Sequence, residues 1–513
     1  MKTEKRLLVA LAFSFIILAV WSNFAVKPRN SANTQVYPQA VEKPMPAESV
    51  ELPKIVQPSP TPAAIFEFTQ GKKKYIFSEP LGVIKEAIFA NYKAYSFDLK
   101  NNLQVGDNAL NFERGKVTTD SVTYIYKDSE KQITKKFTFS PDGYCFDFLL
   151  TVENLSSSEL AFQMPLALGT LNPSLSKDKM AYHDVTVFDS EKPNYPNFQK
   201  PATFNHLKYI ALRDRYFCAI IEPQKLDATG FITKISPTES EIGLFVPELK
   251  IVPRGTLEQR FKVYIGPQDA RTLRSLNSDW QAVIYFGKLD IIAQGLIFLL
   301  DLLYNFGHNW GLAIVLLSLV VYLILFPLTV KQMKSMKEMQ LLQPKIENLR
   351  VSYKDNPQRL NKEIMELYRK HKVNPFGGCL PMLLQIPIFF ALYQVLIRSI
   401  ALKGAGFLWI KDLSEPDKLI TFPTNIPLIG NEFNILPILM ALEMFFQQKS
   451  SMANISSAQA EQQKIMLIVM PVMFGFLFYH MPSGLVLYWF INSSLALIYQ
   501  LRVGAGWALK NVE

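Results

Sequence analysis

The sequence predicts a polytopic α-helical membrane protein. Six spans are expected, the last five forming one helical core, with a large antiparallel β-sandwich outside the membrane and a helical hairpin in the cytoplasm. Three observations predict this. The chain has 513 residues, 49% of them hydrophobic, and the apolar residues concentrate at 7–26 and again after 289. Between those regions, apolar and polar residues alternate in short runs. Finally, a basic amphipathic segment from Lys331 runs straight into the Pro- and Gly-rich apolar sequence NPFGGCLPMLLQIPIFFALY at 374–393. The positive-inside rule places such a basic segment in the cytoplasm, which sets the sidedness of every later span.

Residues 1–26 read as an uncleaved anchor. Leu7 to Val26 is about 20 residues long, enough for a ~30 Å hydrocarbon core. Lys2, Lys5 and Arg6 precede it and keep the N-terminus inside. The bulky sequence WSNFAVKPR that follows does not look like a signal-peptide cleavage site. Residues 27–64 hold eight prolines and little that could build a core, which predicts an extended linker. From 65 to 267 the period changes to two, as in SVTYIY from Ser121, ITKKFTF from Ile133, YCFDFLL from Tyr144 and RFKVYI from Arg260. Such runs, separated by Pro, Gly, Asn and Asp, predict an antiparallel sandwich. It follows an N-in span and therefore lies outside the membrane.

Residues 268–308 are expected to carry an interfacial helix. Asp290, Gln294, Asp301 and Asn305 fall at helix angles of about 0, 40, 20 and 60°. One polar stripe backed by Ile, Leu and Phe suits a helix lying in the membrane surface. Burying Asp301 mid-bilayer would cost roughly 2.5–3.5 kcal/mol on insertion scales. Residues 309–330 form the second span. Residues 331–373 follow as the hairpin, with eleven Lys/Arg against five Asp/Glu over 331–372. Met336, Met339, Leu342, Ile346, Leu349 and Tyr353 make one apolar seam, continued by Leu360, Ile364, Leu367 and His371 on a second helix. Asp355-Asn356-Pro357 is a helix-start signal between the two. The cations Lys334, Lys337, Lys345, Arg350, Arg359, Lys362 and Arg369 line this docking hairpin. Its strong amphipathicity implies a docking partner or lipid headgroups.

Residues 374–503 hold spans three to six: Phe376–Ile400, Phe433–Gln448, Ile465–His480 and Gly484–Leu501. A short tail, 504–513, ends inside. Two of these spans have only about 16 residues, or ~24 Å, which would thin the bilayer around them. Ser318, Gln385, Glu443, Gln447, Asn492, Ser493 and Ser494 are polar positions within or near the spans. Buried polar groups in lipid face a bundle interior or a wet cavity. Twelve of the sixteen Met residues lie between 331 and 481, which suits either gap filling or a surface that accepts varied apolar partners.

The chemistry these residues exclude is as informative. Cys145, Cys218 and Cys379 cannot make a disulfide framework; the first two share the extracytoplasmic domain, where a bridge is chemically allowed, and are expected as unpaired core thiols. His183 and His206 sit in no catalytic pattern. No Cys/His cluster has metal-ligand spacing, and there is no P-loop, GxGxxG or GxSxG. No enzyme activity, no cofactor and no metal are expected. A secondary transporter or channel is the alternative class, and it would call for inverted repeats with matched broken helices, which the sequence does not show.

In six segments the sequence resembles the YidC family of membrane protein insertases, related to the Oxa and Alb proteins of organelles. The segments are LFPLTVKQMKSM (325–336), LQPKIENLR (342–350), NPFGGCLPMLLQIPIFFALY (374–393), LWIKDLS (408–414), ILPILMALEMFFQQK (435–449) and QQKIMLIVMPVMFGFLFYHMPSGLVLYWFINS (462–493). The resemblance implies a Gram-negative inner-membrane protein with a large periplasmic domain, similar in fold to sugar mutarotases. It also implies an insertase and chaperone for nascent membrane proteins that works alone or with the Sec translocon, without ATP, in contact with the ribosome and the bilayer and with no specific nucleic acid sequence. Carried over by position, a hydrated groove open to the cytoplasm would be lined by Ser318, Tyr322, Glu443, Gln447, Tyr488, Trp489 and Asn492. The apolar part of a client would slide past Met382, Ile386 and Phe389 on the third span and Met470, Met473 and Phe474 on the fifth. The family usually carries an Arg five residues before the Pro of the second span, and Tyr322 stands there instead. Arg398, near the outer end of the third span, is expected to snorkel. The tail carries only Lys510 as a positive charge, so ribosome contact falls to the hairpin.

Overall fold

A computed structural model describes residues 64–510 apart from 80, 107–109, 142, 172–183, 225–226, 355, 372, 374–379, 427–429 and 452–456. The anchor, nearly all of the linker, His183, Cys379 and residues 511–513 lie outside the described residues.

Strands run from Ile65 to Pro267, and every pairing between them is antiparallel. A nine-stranded sheet carries Thr256–Pro267 near its centre, flanked by Phe217–Pro223 and Cys145–Asn154. A five-stranded sheet is built on the pair Leu160–Leu171 and Ser240–Ile251, and a four-stranded sheet opens the domain at Ile65–Gln70. The period of two explains the register. In Lys131–Phe139, Ile133, Lys135, Phe137 and Phe139 point inward and are buried. Phe77, Phe137, Phe139 and Phe146 then meet in an aromatic core, edge-on or tilted except for the parallel pair Phe137 and Phe139. Cys145 and Cys218 are free thiols there. His206 is exposed and paired with Asp227 at 3.1 Å.

Eight helices follow among the described residues: α1 (Ala270–Leu276), α2 (Asp290–Gly307), α3 (Trp310–Ser352), α4 (Pro357–Lys370), α5 (Leu380–Arg398), α6 (Leu436–Ser451), α7 (Ser457–Phe478) and α8 (Ser483–Lys510). By length and composition, three helical stretches among the described residues are apolar enough to cross a membrane: Gly287–Gly307, Trp310–Met339 and Ser483–Arg502. Gln385–Arg398 and Leu467–Phe478 are shorter apolar helices.

α2 presents three different faces. Ala293, Leu296 and Leu300 are buried, while Ile291, Phe298 and Phe306 are exposed. The polar stripe is turned toward the segment that leads in from the sandwich. Asp290 accepts from the Phe286 amide (2.9 Å), Gln294 donates to the Ile284 carbonyl (3.0 Å) and Asp301 pairs with Arg271 of α1 (3.2 Å). These polar groups therefore have protein partners rather than headgroups.

The second span and the first arm of the hairpin are one continuous element, because α3 runs unbroken for 43 residues through Pro327 and Pro344. The residues around the expected boundary, Val330 to Leu342, include no Gly and no Pro and are mostly good helix formers. The hairpin seam is also covered from within. Leu342, Ile346 and Val373 are buried with Met339, Ile364, Leu367 and Tyr368 around them, so α4 itself takes the place expected of a partner. The cations remain outside. Lys334, Lys345, Arg359, Lys362 and Arg369 are exposed, Lys337 and Arg350 are half-buried, and Lys345 reaches His371 at 3.1 Å.

The sandwich is fastened to the helices by cations. Arg215 donates to the carbonyls of Ile397 (2.8 Å) and Ser414 (3.2 Å), and Arg213 bridges Asp184 (2.8 Å) and the Tyr285 carbonyl (2.7 Å). Arg398 donates to the same Tyr285 carbonyl at 3.1 Å and lies over the Phe286 ring. It is thus held by protein, not reaching into headgroups as expected. Lys403 sits 4.9 Å from the Tyr95 ring and 4.8 Å from that of Tyr216.

Candidate substrate groove

One end of the helical bundle is dry. Ala313, Ile314 and Leu317 of α3, Ala391, Leu392, Val395 and Leu396 of α5, and Leu485, Val486 and Leu487 of α8 are all buried. The loop between α5 and α6 knits that end shut. Asp417 accepts from the backbone amides of Ile435 (3.0 Å) and Leu436 (3.1 Å), satisfying donors at the head of α6. The Ser483 and Gly484 amides at the start of α8 donate to Glu415 (2.7 Å) and Leu413 (2.9 Å).

Tyr488 is the node beneath that seal. Its ring is fully buried; its hydroxyl accepts from Gln385 of α5 (2.6 Å), and its carbonyl accepts from Asn492 (2.9 Å). Ser318 of α3 points to the same carbonyl at 3.5 Å while donating to Ile314 at 2.8 Å. Three helices thus exchange polar contacts at one level, which is how hydroxyls and amides join helices in an apolar surround. Ser318 and Tyr488, expected to line a groove, are both fully buried at this level.

Away from the seal the same helices loosen. Tyr322, Asn492, Ser493 and Gln447 are only half-buried. Tyr322 donates to the Leu495 carbonyl at 3.4 Å, and Gln500 donates to that of Gln447 at 3.3 Å. Phe326 meets the Tyr499 ring edge-on at 5.0 Å. Glu443 of α6 faces inward and is 8% exposed; Ser493 of α8 is the polar group beside its carboxyl, and neither oxygen makes a hydrogen bond of good geometry among the described residues. Such a group is costly to bury and marks a place where the bundle is chemically incomplete.

The expected slide splits. Phe389 and Phe474 converge on Trp489 at 5.2 and 5.9 Å, with Phe478 at 5.5 Å from the same indole. Trp489 therefore joins the apolar side rather than the polar groove. Ile386 is exposed, Met470 and Met473 are half-buried, and the Met382 side chain lies outside the described residues. Sequence reasoning noted Gln385 as polar but left it out of the site, and it missed Phe478. Gln385 could have been found as the amide of an otherwise apolar stretch, whereas Phe478 is one aromatic among many.

An α-helical bundle closed at one end, with polar side chains at its centre and a β-sandwich strapped to the closed end, defines a polytopic membrane protein with an appended β-domain. Two family models cover most of the chain: the YidC periplasmic domain at residues 94–299 and the 60Kd inner membrane protein at 302–506. The membrane protein insertase YidC of Syntrophobacter fumaroxidans is 36% identical over 384 residues, covering 72% of this chain and 68% of that one. That of Wolinella succinogenes is 38% identical over 394 residues, covering 75% and 67%. A crystal structure of an active YidC insertase is 21% identical and covers 85% of this chain and 94% of that one, with a TM-score of 0.40. The chain belongs to the YidC family of inner membrane proteins with a periplasmic domain.

Proposed function

We propose that this protein inserts and assembles integral membrane proteins through a groove between α3, α5, α6, α7 and α8 that opens to the cytoplasm and is closed outside. The observation that carries this reading is the gradient along the bundle. Residues at the level of Ile314, Leu396 and Val486 are buried, while those at the level of Tyr322, Gln447 and Asn492 are half-exposed. A polar flank entering from the open end meets Tyr322, Asn492, Gln447 and Glu443 instead of hydrocarbon, and this lowers its desolvation cost. The apolar part of the client leaves past Phe389, Phe474 and Trp489 into lipid. Burial of apolar client surface supplies about 25 cal/mol per Å², and the membrane potential adds to it. No nucleotide is used.

In this topology both termini are cytoplasmic, the sandwich is periplasmic, and six spans are completed by Leu7–Val26. The basic outer surface of α3 and α4 meets the ribosome and the Sec translocon, where its exposed cations suit acidic or phosphate-bearing partners. Two measurements test the reading. Depleting the protein should block insertion of small membrane proteins. The purified chain in liposomes should insert them without ATP, whereas solute flux without insertion would reject the proposal in favour of a channel.

A further inference from the structure

We propose that the turn Phe407–Ile410 is a lipid anchor that dips into the outer leaflet of the bilayer. This rests on reading α3 as a spanning helix whose first turn lies outside. The turn is closed by a pair of backbone hydrogen bonds between Phe407 and Ile410, both 2.9 Å. Its two central residues are Leu408 and Trp409, and Leu408 has φ +53°. A leucine in the left-handed region is disfavoured by its Cβ, so the conformation is imposed by the surroundings.

Those surroundings hold the turn from several sides. Phe407 packs so closely on Gly311 of α3 that a Cβ there would stand 2.1 Å from the ring. Ile410 is buried, and the Trp409 indole donates to Asp417 at 3.2 Å, the carboxylate that also caps α6. Most of the loop's charges are paired away from the tip: Asp412 pairs with Lys93 at 3.5 Å, and Lys418 pairs with Glu415 and Glu432 at 3.0 Å each, while exposed Lys411 follows the turn. Leu408 is left 76% exposed at the tip, with Trp409 at 37%.

The occupant is lipid because the tip continues a lipid-type surface. It sits at the head of α3, where the exposed Leu312, Leu319 and Leu323 fall in one stripe about 40° wide. Exposed Phe306 ends α2 beside it, and Tyr304 stacks on Trp310 at 4.0 Å between them. Aromatic pairs at the two ends of a helix connection, with an indole donor tied to protein, are the composition of a membrane–water interface. A leucine on a braced turn at that level enters the acyl region without any further ordering of the chain.

Single-cysteine labelling of the full chain decides it. In a background with Cys145, Cys218 and Cys379 replaced by Ala, Leu408→Cys is labelled with an environment-sensitive fluorophore. The protein is placed in phosphatidylethanolamine–phosphatidylglycerol vesicles. Leu323→Cys serves as the mid-helix control and Val252→Cys, 64% exposed on the sandwich, as the aqueous control. The Leu408 label should emit to the blue of the Val252 label. It should resist iodide several-fold better, and be quenched most by lipids brominated near the top of the acyl chain. A Leu408 label as open to iodide as the Val252 label, with the Leu323 label in lipid, overturns the anchor alone; a protein partner as the real occupant would give that result. A Leu323 label open to iodide overturns the spanning reading and the anchor with it.

Discussion

Two buried ionisable side chains separate the two halves of this molecule. In the sandwich, Lys135 is fully buried, and its ammonium donates to the carbonyls of Leu81 (2.8 Å), Leu103 (3.2 Å) and Gly82 (3.3 Å) and lies 4.1 Å from the Phe112 ring centre. Burial pushes its pKa well below the usual lysine value. In the bundle, Glu443 is buried with Ser493 beside its carboxyl and no hydrogen bond of good geometry to either oxygen among the described residues. A buried polar group with its partners in place specifies a structure; one without them is a standing cost that persists where function uses it. Lys135 is held by three carbonyls of its own domain, whereas the Glu443 carboxyl has no comparable set of partners among the described residues.

The largest test of this contrast is Lys135→Met. Three carbonyls lose their donor, so unfolding of the full chain in detergent, followed by denaturant titration, should show a loss of about 3 kcal/mol. A change within 0.5 kcal/mol, the rough size of a surface substitution, would mean that the cage is incidental.

Glu241 is one of several sandwich side chains with an unpartnered buried atom among the described residues, and it sharpens the comparison next. It is 3% exposed, its Oε2 has no hydrogen-bond partner among the described residues, and burial pushes its pKa up to about 7 from 4.5. Between those two values the folded state holds more protons than the unfolded one, so this group's contribution to stability falls as pH rises through the window and stays low above it. Glu241→Gln should therefore remove a decline of about 2 kcal/mol between pH 5 and 8. If the variant shows the same pH slope as the parent, another group is responsible.

Overpacking probes the sealed end. Gly311→Ala sets a Cβ against the Phe407 ring, which must move together with the turn that carries it. A stability loss of about 1–2 kcal/mol is expected, with a larger fractional loss of insertion than Lys135→Met causes. Equal insertion by variant and parent would detach the seal from function.

Glu443→Leu should do the reverse. Removing an uncompensated carboxyl should raise stability by about 1 kcal/mol while slowing insertion of clients with basic flanks. A fall in stability would show that the carboxyl is satisfied in the folded protein. The smallest effect is expected of Tyr322→Arg, whose phenol makes only the long 3.4 Å bond to Leu495. Insertion of clients with acidic flanks should stay level or rise, and a complete loss would mean that the groove is built around the phenol.

Local pattern determined a good deal of this. The alternation in SVTYIY and ITKKFTF gives strands because a period of two puts Val122, Tyr124, Ile133 and Phe137 on one buried face. The stripe Asp290, Gln294 and Asp301 was legible as one side of a helix for the same reason, with a period of 3.6 residues per turn.

Tertiary structure decided what those faces meet. Spacing carries no information on whether a seam is filled by a partner or by the next helix, and α4 covers Leu342 and Ile346. Nor does it say that Arg398 and Arg213 share the Tyr285 carbonyl across more than a hundred residues, or that Ser318 and Gln385 reach Tyr488 from two other helices. Periodicity is a property of neighbours a few residues apart, whereas a groove is a relation between helices far apart in the chain, set by how their buried volumes fit together.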